Sequence, residues 1–385
     1  MELNYGSEHG EYREQVRDFL RCEWKEGSNV AELRQKAIGA GYLYRGIPKR
    51  FGGSEQPSDV IRARIIAEEF AAAKAPGEIK GNGVQMLVPT LLERGTEWQK
   101  ERFVPKTLTG EYRWAQGFSE PGSGSDLASL RTRGELRDGQ WVINGQKVWT
   151  SYARDCQYMF ALIRTEPDAS KHQGISYLLI DLDQPGIDIR PMKQINGGND
   201  FNEVFFTDAV TPEDWVVGER GEGWSVSKSL LKHERNMLGG VDRSDALFES
   251  LLGLAKRTHK GGGPAIHDPW IRDRLAALKA ELEVQRYSSY IQLTRELAGE
   301  SGGLLQMMSK LGQSNYAAKV AEVANAILED EGLISPIGNR RPGNERWVNQ
   351  YMNSLAAAIA GGTSNIQRNI IAERGLGLPR ERSQE

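Results

Sequence analysis

The chain has 385 residues, 26% of them charged, and a formal net charge of -3 at pH 7. A chain of that length buries a large core and divides into two or three regions, and its near-neutral balance argues against nucleic acid or a membrane surface as partner. Its start, MELNYGSEHGEYREQ, is polar and acidic where a signal peptide is apolar and a transit peptide arginine-rich, and no later apolar run is long enough to span a bilayer, so a cytoplasmic location is expected.

From Tyr12 to about Glu111 the pattern is helical. Val16, Phe19 and Leu20 share one face, and Leu33, Ala37 and Ile38 share another, at three- and four-residue steps. Gly39 and Gly41 close that second helix, GIPKRFGG breaks regular structure at Pro48, Gly52 and Gly53, and an alanine-rich run from Asp59 to Ala75 returns to helix. Val84 to Leu92 and Trp98 to Leu108 complete a helical region over 1–111. Short β-like runs then take over: RTRGEL, QWVING, YMFALIRTE, ISYLLIDLD and IDIRPM, punctuated by Asp138-Gly139, Asn144-Gly145 and Pro185-Gly186. Residues 112–222 are therefore expected to form a small β domain of antiparallel hairpins. From Gly223 helical periodicity resumes over Ser225 to Thr258, Pro269 to Leu297, Leu304 to Ile334 and Val348 to Arg374, with glycine-rich interruptions at Gly261 to Gly263 and Gly302 to Gly303. Four long helices suit an antiparallel bundle over 223–385, with a frayed polar tail from Arg380 to Glu385. The expected class is α+β: an N-terminal helical domain, a middle antiparallel β-barrel domain and a C-terminal four-helix bundle.

Two segments carry chemistry. GFSEPGSGSDLAS, Gly117 to Ser129, places small residues and hydroxyls at the end of a strand, where backbone N–H groups approach a flat or anionic cofactor closely. Standing alone, it reads first as a polar turn. The next hairpin, however, delivers KVWTSYA, in which Trp149 can cover an aromatic ring and Thr150 or Ser151 can offer a hydroxyl to a heteroatom.

Together these segments resemble the signature of the acyl-CoA dehydrogenase family, Ser-Glu-Pro-Gly-x-Gly-Ser-Asp followed by a Trp-x-Thr/Ser flavin contact. The likeness runs through nearly the whole chain, including GIPKRFGG, GTEWQKERFVPKTLTGEY and VVGERGEGW. The resemblance implies an FAD held in extended form between domains and lined by Gln116, Phe118, Ser119, Gly124 and Ser125, the last also reaching the CoA portion. It places Trp149 and Ser151 against the isoalloxazine, with Thr150 between them. Thr363, Ser364 and Asn365 fall at flavin-contact positions, although Asn365 stands where Glu is common, and Arg235 and Gly362 fall on the acyl-CoA side.

Acyl-CoA dehydrogenation needs a carboxylate beside the substrate α-carbon, because a thioester α-proton is a weak acid. Many family members carry it directly before the Gly-Thr of a C-terminal motif, and here the matching stretch, IAGGTSNIQR, has Gly361. A smaller set, resembling the isovaleryl-CoA and long-chain enzymes, carries it on a helix opening the C-terminal domain. This chain reads KHERNMLGG there, so Glu234 is the expected base, organised by Arg235. Adjacent His233 points about a hundred degrees away on a helix and reads as structural. A Glu-Arg pair on a helix is otherwise an ordinary surface feature.

Two elements that reach a neighbouring subunit's flavin in homomeric members are altered. An Arg-x-x-Phe-Gly segment is replaced by AKRTHKGGGPAIHDPW, where Lys260 keeps a positive charge but the Phe-Gly and the Arg are missing, and a Gly-Gly-x-Gly element by SPIGNRRPGNERW. That asymmetry implies a heteromer with a related subunit, as in bacterial sterol-side-chain dehydrogenases, with a rearranged homo-oligomer as the other reading. An electron-transfer flavoprotein is the acceptor implied by the family. A same-fold oxidase or reduced-flavin monooxygenase, and a catalytically silent subunit, are the competing functions. A Rossmann site is unsupported because GSGSD lacks the third glycine and the βαβ context. The five His residues do not cluster with carboxylates at metal-ligand spacing, and Cys22 and Cys156 lack the pairing of a disulfide framework or zinc site.

Overall fold

A computed structural model describes residues 7–238, 241–298, 300, 303–333 and 345–380; the side chains at 7, 8, 231–238, 242, 293, 296, 297, 306 and 345 are outside that description. The chain separates into two compact units. One comprises residues up to Gly122, Ala128–Ile189 and Glu203–Leu230, the other Ser123–Leu127, Arg190–Asn202 and residues from Leu231 onward.

The first unit opens with helices whose ends are written in the sequence. These are α1 (Ser7–Glu23), α2 (Val30–Gly39), α3 (Val60–Ala72), α4 (Val88–Arg94) and α5 (Glu97–Thr109). Asn29 caps α2 by accepting from Ala31 N and Glu32 N, and Asp59 caps α3 by accepting from Arg62 N at 2.9 Å. Thr96 and Gln99 form a capping box at the start of α5, and Gly110, at φ 81°, ends it in the left-handed conformation. A π-helical turn, Gly83–Leu87, leads into α4.

The strands of this unit are β1 (Trp114–Gly117), β2 (Arg133–Arg137), β3 (Gln140–Ser151), β4 (Tyr158–Arg164), β5 (Ile175–Asp181), β6 (Ile187–Pro191) and β7 (Phe201–Pro212). The last two begin or end in short stretches that belong to the second unit. The sheet order is β1-β4-β2-β3-β7-β6, with β5 on β4. β2 and β3 form a tight hairpin because Asp138 and Gly139, at φ 50° and 75°, supply the two positive angles its turn needs. β4 and β5 pair antiparallel and are buried on both faces, so they read as continuous apolar runs instead of alternating ones. β1 pairs with β4 in parallel, and β2 touches β4 in parallel at Arg133 and Arg164, so the sheet is mixed.

What joins the helices to the sheet is one aromatic side chain and one amide. Phe103 on α5 lies 5.3 Å from the Trp114 ring, 5.9 Å from Tyr158 and 5.2 Å from Trp215, with Trp98 and Tyr112 also against it. Buried Gln99 donates to the carbonyls of Asp214 at 2.9 Å and Val216 at 2.7 Å. Trp114 donates its indole N–H to Thr107 at 2.9 Å, which seats the start of β1 against α5.

The second unit is helical: α6 (Gly223–Leu238, which starts in the first unit), α7 (Val241–Arg257), α8 (Pro269–Leu297), α9 (Gly303–Leu328), α10 (Glu345–Ala357) and α11 (Ser364–Ile370). Its core is built by Leu251, Leu254, Ile271, Leu278, Leu282, Tyr316, Val320 and Trp347. Two expectations are corrected. The stretch 225–258 holds two helices, α6 and α7, with Gly239 and Gly240 outside the described residues. The stretch 348–374 is broken because Gly361 and Gly362, at φ 63° and 90°, cannot continue a right-handed helix. A two-strand hairpin, β8 (His259–Lys260) and β9 (Gly263–Pro264), turns at left-handed Gly261 and Gly262. The tail beyond 380 lies outside the described residues.

Among the described residues no helix is long and apolar enough to cross a membrane, and no three His, Cys, Asp or Glu side chains are grouped to hold a metal ion. Burial pushes the Cys156 thiol up to about 11, so it stays protonated at neutral pH.

Removing the ring of Phe103 empties the junction between α5 and the sheet. Phe103→Ala is expected to cost about 3–5 kcal/mol, read as a lower urea midpoint; an unchanged midpoint would contradict the role given to this ring.

Candidate active site

In the first unit, β1 runs directly into Phe118 and Ser119, and β3 runs beside them, joined by Val148 N donating to Ser119 O at 2.9 Å. The structure thus brings together the two segments singled out in the sequence. Phe118 anchors its segment: its ring lies edge-on to Phe160 at 6.0 Å and Tyr177 at 6.2 Å, which stack on each other at 5.8 Å. Gly117 must be glycine, since a Cβ there would lie 2.4 Å from Met159 Sδ. Gln116 and Ser119 are half-buried.

β3 alternates inward at Trp141, Ile143 and Lys147, a phase that would also turn Trp149 inward. Instead the alternation shifts between Lys147 and Val148, which are both buried; Thr150 is buried, and Trp149, 58% exposed, is left-handed at φ 61°. Tyr152 is likewise left-handed, at φ 55°, and 56% exposed. A non-glycine residue held there costs on the order of 1–3 kcal/mol and clusters at ligand sites. Half-buried Ser151 lies between them. An exposed indole on constrained backbone, flanked by Ser151 and beside Ser119, has the chemistry to cover a flat heteroaromatic ring and hydrogen-bond its edge. These residues fit the isoalloxazine of FAD.

Beneath this edge sits a charge pair. Lys147 is wholly buried, and its ammonium donates to Glu120 Oε1 at 2.8 Å and to the Phe118 carbonyl at 3.2 Å. Burial pushes Lys147 down to about 8, against the opposing pull of Glu120. Burial raises Glu120, but the Lys147 charge and the hydrogen bonds from Lys147, Thr132 and Arg131 outweigh it and hold the carboxyl below its usual range. Both residues stand inside the two segments singled out in the sequence, Glu120 in SEPGSGSD and Lys147 in KVWTSYA, but nothing in the sequence marks them as a pair.

The remaining candidates lie in the second unit. Buried Ser123 closes the loop carrying exposed Gly124 and Ser125 by donating to the carbonyls of Asp126 at 2.9 Å and Leu127 at 3.1 Å. The turn before α11 is held from α9, where buried Lys310 donates to Gly362 O at 2.7 Å, and from α11 itself, where buried Gln367 donates to Gly361 O at 3.2 Å. Thr363 caps α11 by accepting from Ile366 N, Ser364 is half-buried, and exposed Asn365 accepts from Arg368 at 3.3 Å. Glu234 and Arg235 lie on α6, with their side chains outside the described residues.

Lys260 is committed within its own unit. It pairs with Glu329 at 3.0 Å and donates to Ala326 O at 3.4 Å, a cation at the last turn of α9, where the helix dipole favours it. Most of SPIGNRRPGNERW lies outside the described residues.

Three family models match the chain in order: acyl-CoA dehydrogenase N-terminal domain over 6–111, middle domain over 115–209 and C-terminal domain over 221–376. The acyl-CoA dehydrogenase IpdE1 of Mycobacterium tuberculosis is 42% identical over 351 residues, covering 90% of this chain and 87% of its own. The ChsE4-ChsE5 complex from Mycobacterium tuberculosis superposes with a TM-score of 0.79 at 28% identity, covering 99% of this chain and 100% of the matched one. A structure described as the Tcur3481-Tcur3483 steroid ACAD gives a TM-score of 0.80 at 27% identity, covering 99% and 100%.

Any side chain at 361 meets the left-handed penalty. Gly361→Ala is expected to destabilise the chain by about 1–2 kcal/mol, measured by chemical denaturation. A variant as stable as the parent would contradict the conformation of this turn.

Proposed function

Because the chain belongs to the acyl-CoA dehydrogenase family, whose members are FAD-dependent oxidoreductases, we propose that it desaturates an acyl-CoA thioester to the 2-enoyl-CoA with Glu234 as the base. FAD, when bound, supplies the acceptor for the β-hydride. The Glu234 carboxylate takes the α-proton, the electron pair of that C–H bond forms the α,β double bond, and the β-hydrogen leaves with its own pair. Trp149, Thr150 and Ser151, with Gln116, Phe118 and Ser119, would hold the isoalloxazine side, while Gly124, Ser125, Thr363, Ser364 and Asn365 would hold the rest of the cofactor. Ser125, Arg235 and Gly362 would face the CoA thioester.

The observation that carries the choice of base is the turn at Gly361. Where many relatives place the carboxylate, this chain has a left-handed glycine pair whose carbonyls are bound by Lys310 and Gln367. A side chain is disfavoured there, and the sequence supplies a carboxylate at Glu234 on α6 instead. The reaction needs one such base, and a carboxylate excluded from one position supports its presence at the other.

A heteromer with a related subunit is favoured by Lys260. Lys260, the residue that would stand in for the missing Arg, is committed within its own helical unit to Glu329 and the Ala326 carbonyl and so is not turned to a neighbour's flavin. The solved ChsE4-ChsE5 relative is a complex of two differently named chains. The likeness to a structure described as a steroid ACAD supports a bulky, ring-bearing acyl group. An electron-transfer flavoprotein fits as the acceptor on family grounds.

Glu234→Gln is expected to lower turnover by roughly 10²–10⁴-fold while the flavin stays bound, measured with an artificial acceptor and an acyl-CoA panel. Wild-type turnover in that variant would remove Glu234 from the chemistry. For assembly, the chain purified alone is expected to be flavin-poor and to gain colour on coexpression with its partner. A stoichiometrically yellow, active chain on its own would remove the heteromer.

A further inference from the structure

The chemistry above leaves the Glu120–Lys147 pair without a task, yet its wiring is specific. Lys147 Nζ reaches Glu120 at 2.8 Å and the Phe118 carbonyl at 3.2 Å. The same carboxylate accepts from Arg131 N at 2.6 Å and Thr132 N at 2.9 Å, and Thr132 Oγ1 donates to the Gln146 carbonyl at 3.2 Å. One ion pair therefore ties together three segments: 118–120, 131–132 and 146–148. Packing does not do this alone, because Glu120 borders a cavity of about 330 Å³ between Gly122, Ser129, Arg131 and Gln146. A buried ion pair is an inefficient way to fill a core, since apolar residues of similar volume are often as stable. What it provides here, and a methylene chain cannot, is a fixed distance from β3 to the backbone of Phe118.

The geometry points to Glu120 and Lys147 as positioning residues for the flavin, fixing the Phe118–Ser119 backbone against the strand that carries Trp149 and Ser151. The pair touches neither substrate nor reacting atoms. Its role rests on the proposed reading that those four residues face FAD. The pair thus reinforces the backbone bond from Val148 N to Ser119 O that joins the two segments, and holds their register and spacing.

The test is FAD titration of the apoprotein by flavin fluorescence, on the purified chain or on its copurified complex if the chain alone is colourless. Four variants are compared: Lys147→Met, Glu120→Gln, Trp149→Ala and, as a control for general stability, Leu33→Ala in the core of α2. Lys147→Met and Glu120→Gln are expected to weaken FAD binding at least tenfold and to alter the visible circular dichroism of the flavin that still binds. Leu33→Ala is expected to lower the thermal midpoint but leave FAD affinity within twofold. If Lys147→Met does not fold, Glu120→Gln, which keeps the shape of the side chain but has one amide oxygen for the two backbone donors, decides the matter. Weak binding in Trp149→Ala with affinity within twofold in Lys147→Met and Glu120→Gln would overturn the positioning role and leave the flavin-facing residues intact. Unchanged binding in Trp149→Ala as well would overturn that underlying reading too. A loss in Leu33→Ala as large as in the pair would also overturn it, since the effect would then follow global stability.

Discussion

A lysine with no exposed surface must have its charge answered from inside the protein, and Lys147 is answered by one carboxylate and one carbonyl. That constraint organises the edge of the β domain. It draws Phe118 and Glu120 onto β3, leaves Ser119 bonded to Val148, and sets the register in which Trp149 turns outward. The helical N-terminal part supports this arrangement from the other end of β1, where Phe103, Gln99 and Thr107 seat Trp114 and the segment after β7. The site is thus a rigid strand end carrying an exposed aromatic face, which is the form expected where binding must be preorganised.

The second unit contributes a different kind of constraint. Gly361 and Gly362 form a turn whose backbone oxygens are occupied by Lys310 and Gln367, and at the position that bears a carboxylate in many relatives the left-handed backbone disfavours any side chain. The same chain carries Glu234 far earlier, on α6. On the proposed assignment of Glu234 as the base, what matters is the location of the carboxylate relative to the substrate α-carbon, not the element that presents it.

Much of this was legible in residues whose meaning is local. Gly39, Gly41 and Asp59 mark helix ends by local chemistry that needs no tertiary context, and Asp138-Gly139 fixes its hairpin by backbone angle alone. The two candidate segments could be paired because each has an unusual density of small and hydroxyl residues. Non-local pairing was less accessible: nothing in WAQG or YMFALIR states that β1 and β4 run parallel, since that depends on how intervening hairpins return. The break before α11 was obscured by Ala356, Ala357 and Ala358, good helix formers that prolong the periodicity until the left-handed glycines stop it. The pairing of Lys147 with Glu120 was not legible for another reason. Charged residues are rarely buried, so a lysine on the inward phase of a strand reads as an irregularity until its partner is seen 27 positions away.

The most direct measurement is anaerobic mixing of the flavin-loaded protein with one equivalent of a ring-bearing acyl-CoA, following the oxidised flavin band in a single turnover. The band is expected to bleach in the wild-type protein and to persist in Glu234→Gln. Bleaching of Glu234→Gln at the wild-type rate would contradict the assignment of the base, and a wild-type band that no acyl-CoA bleaches would contradict the dehydrogenase itself.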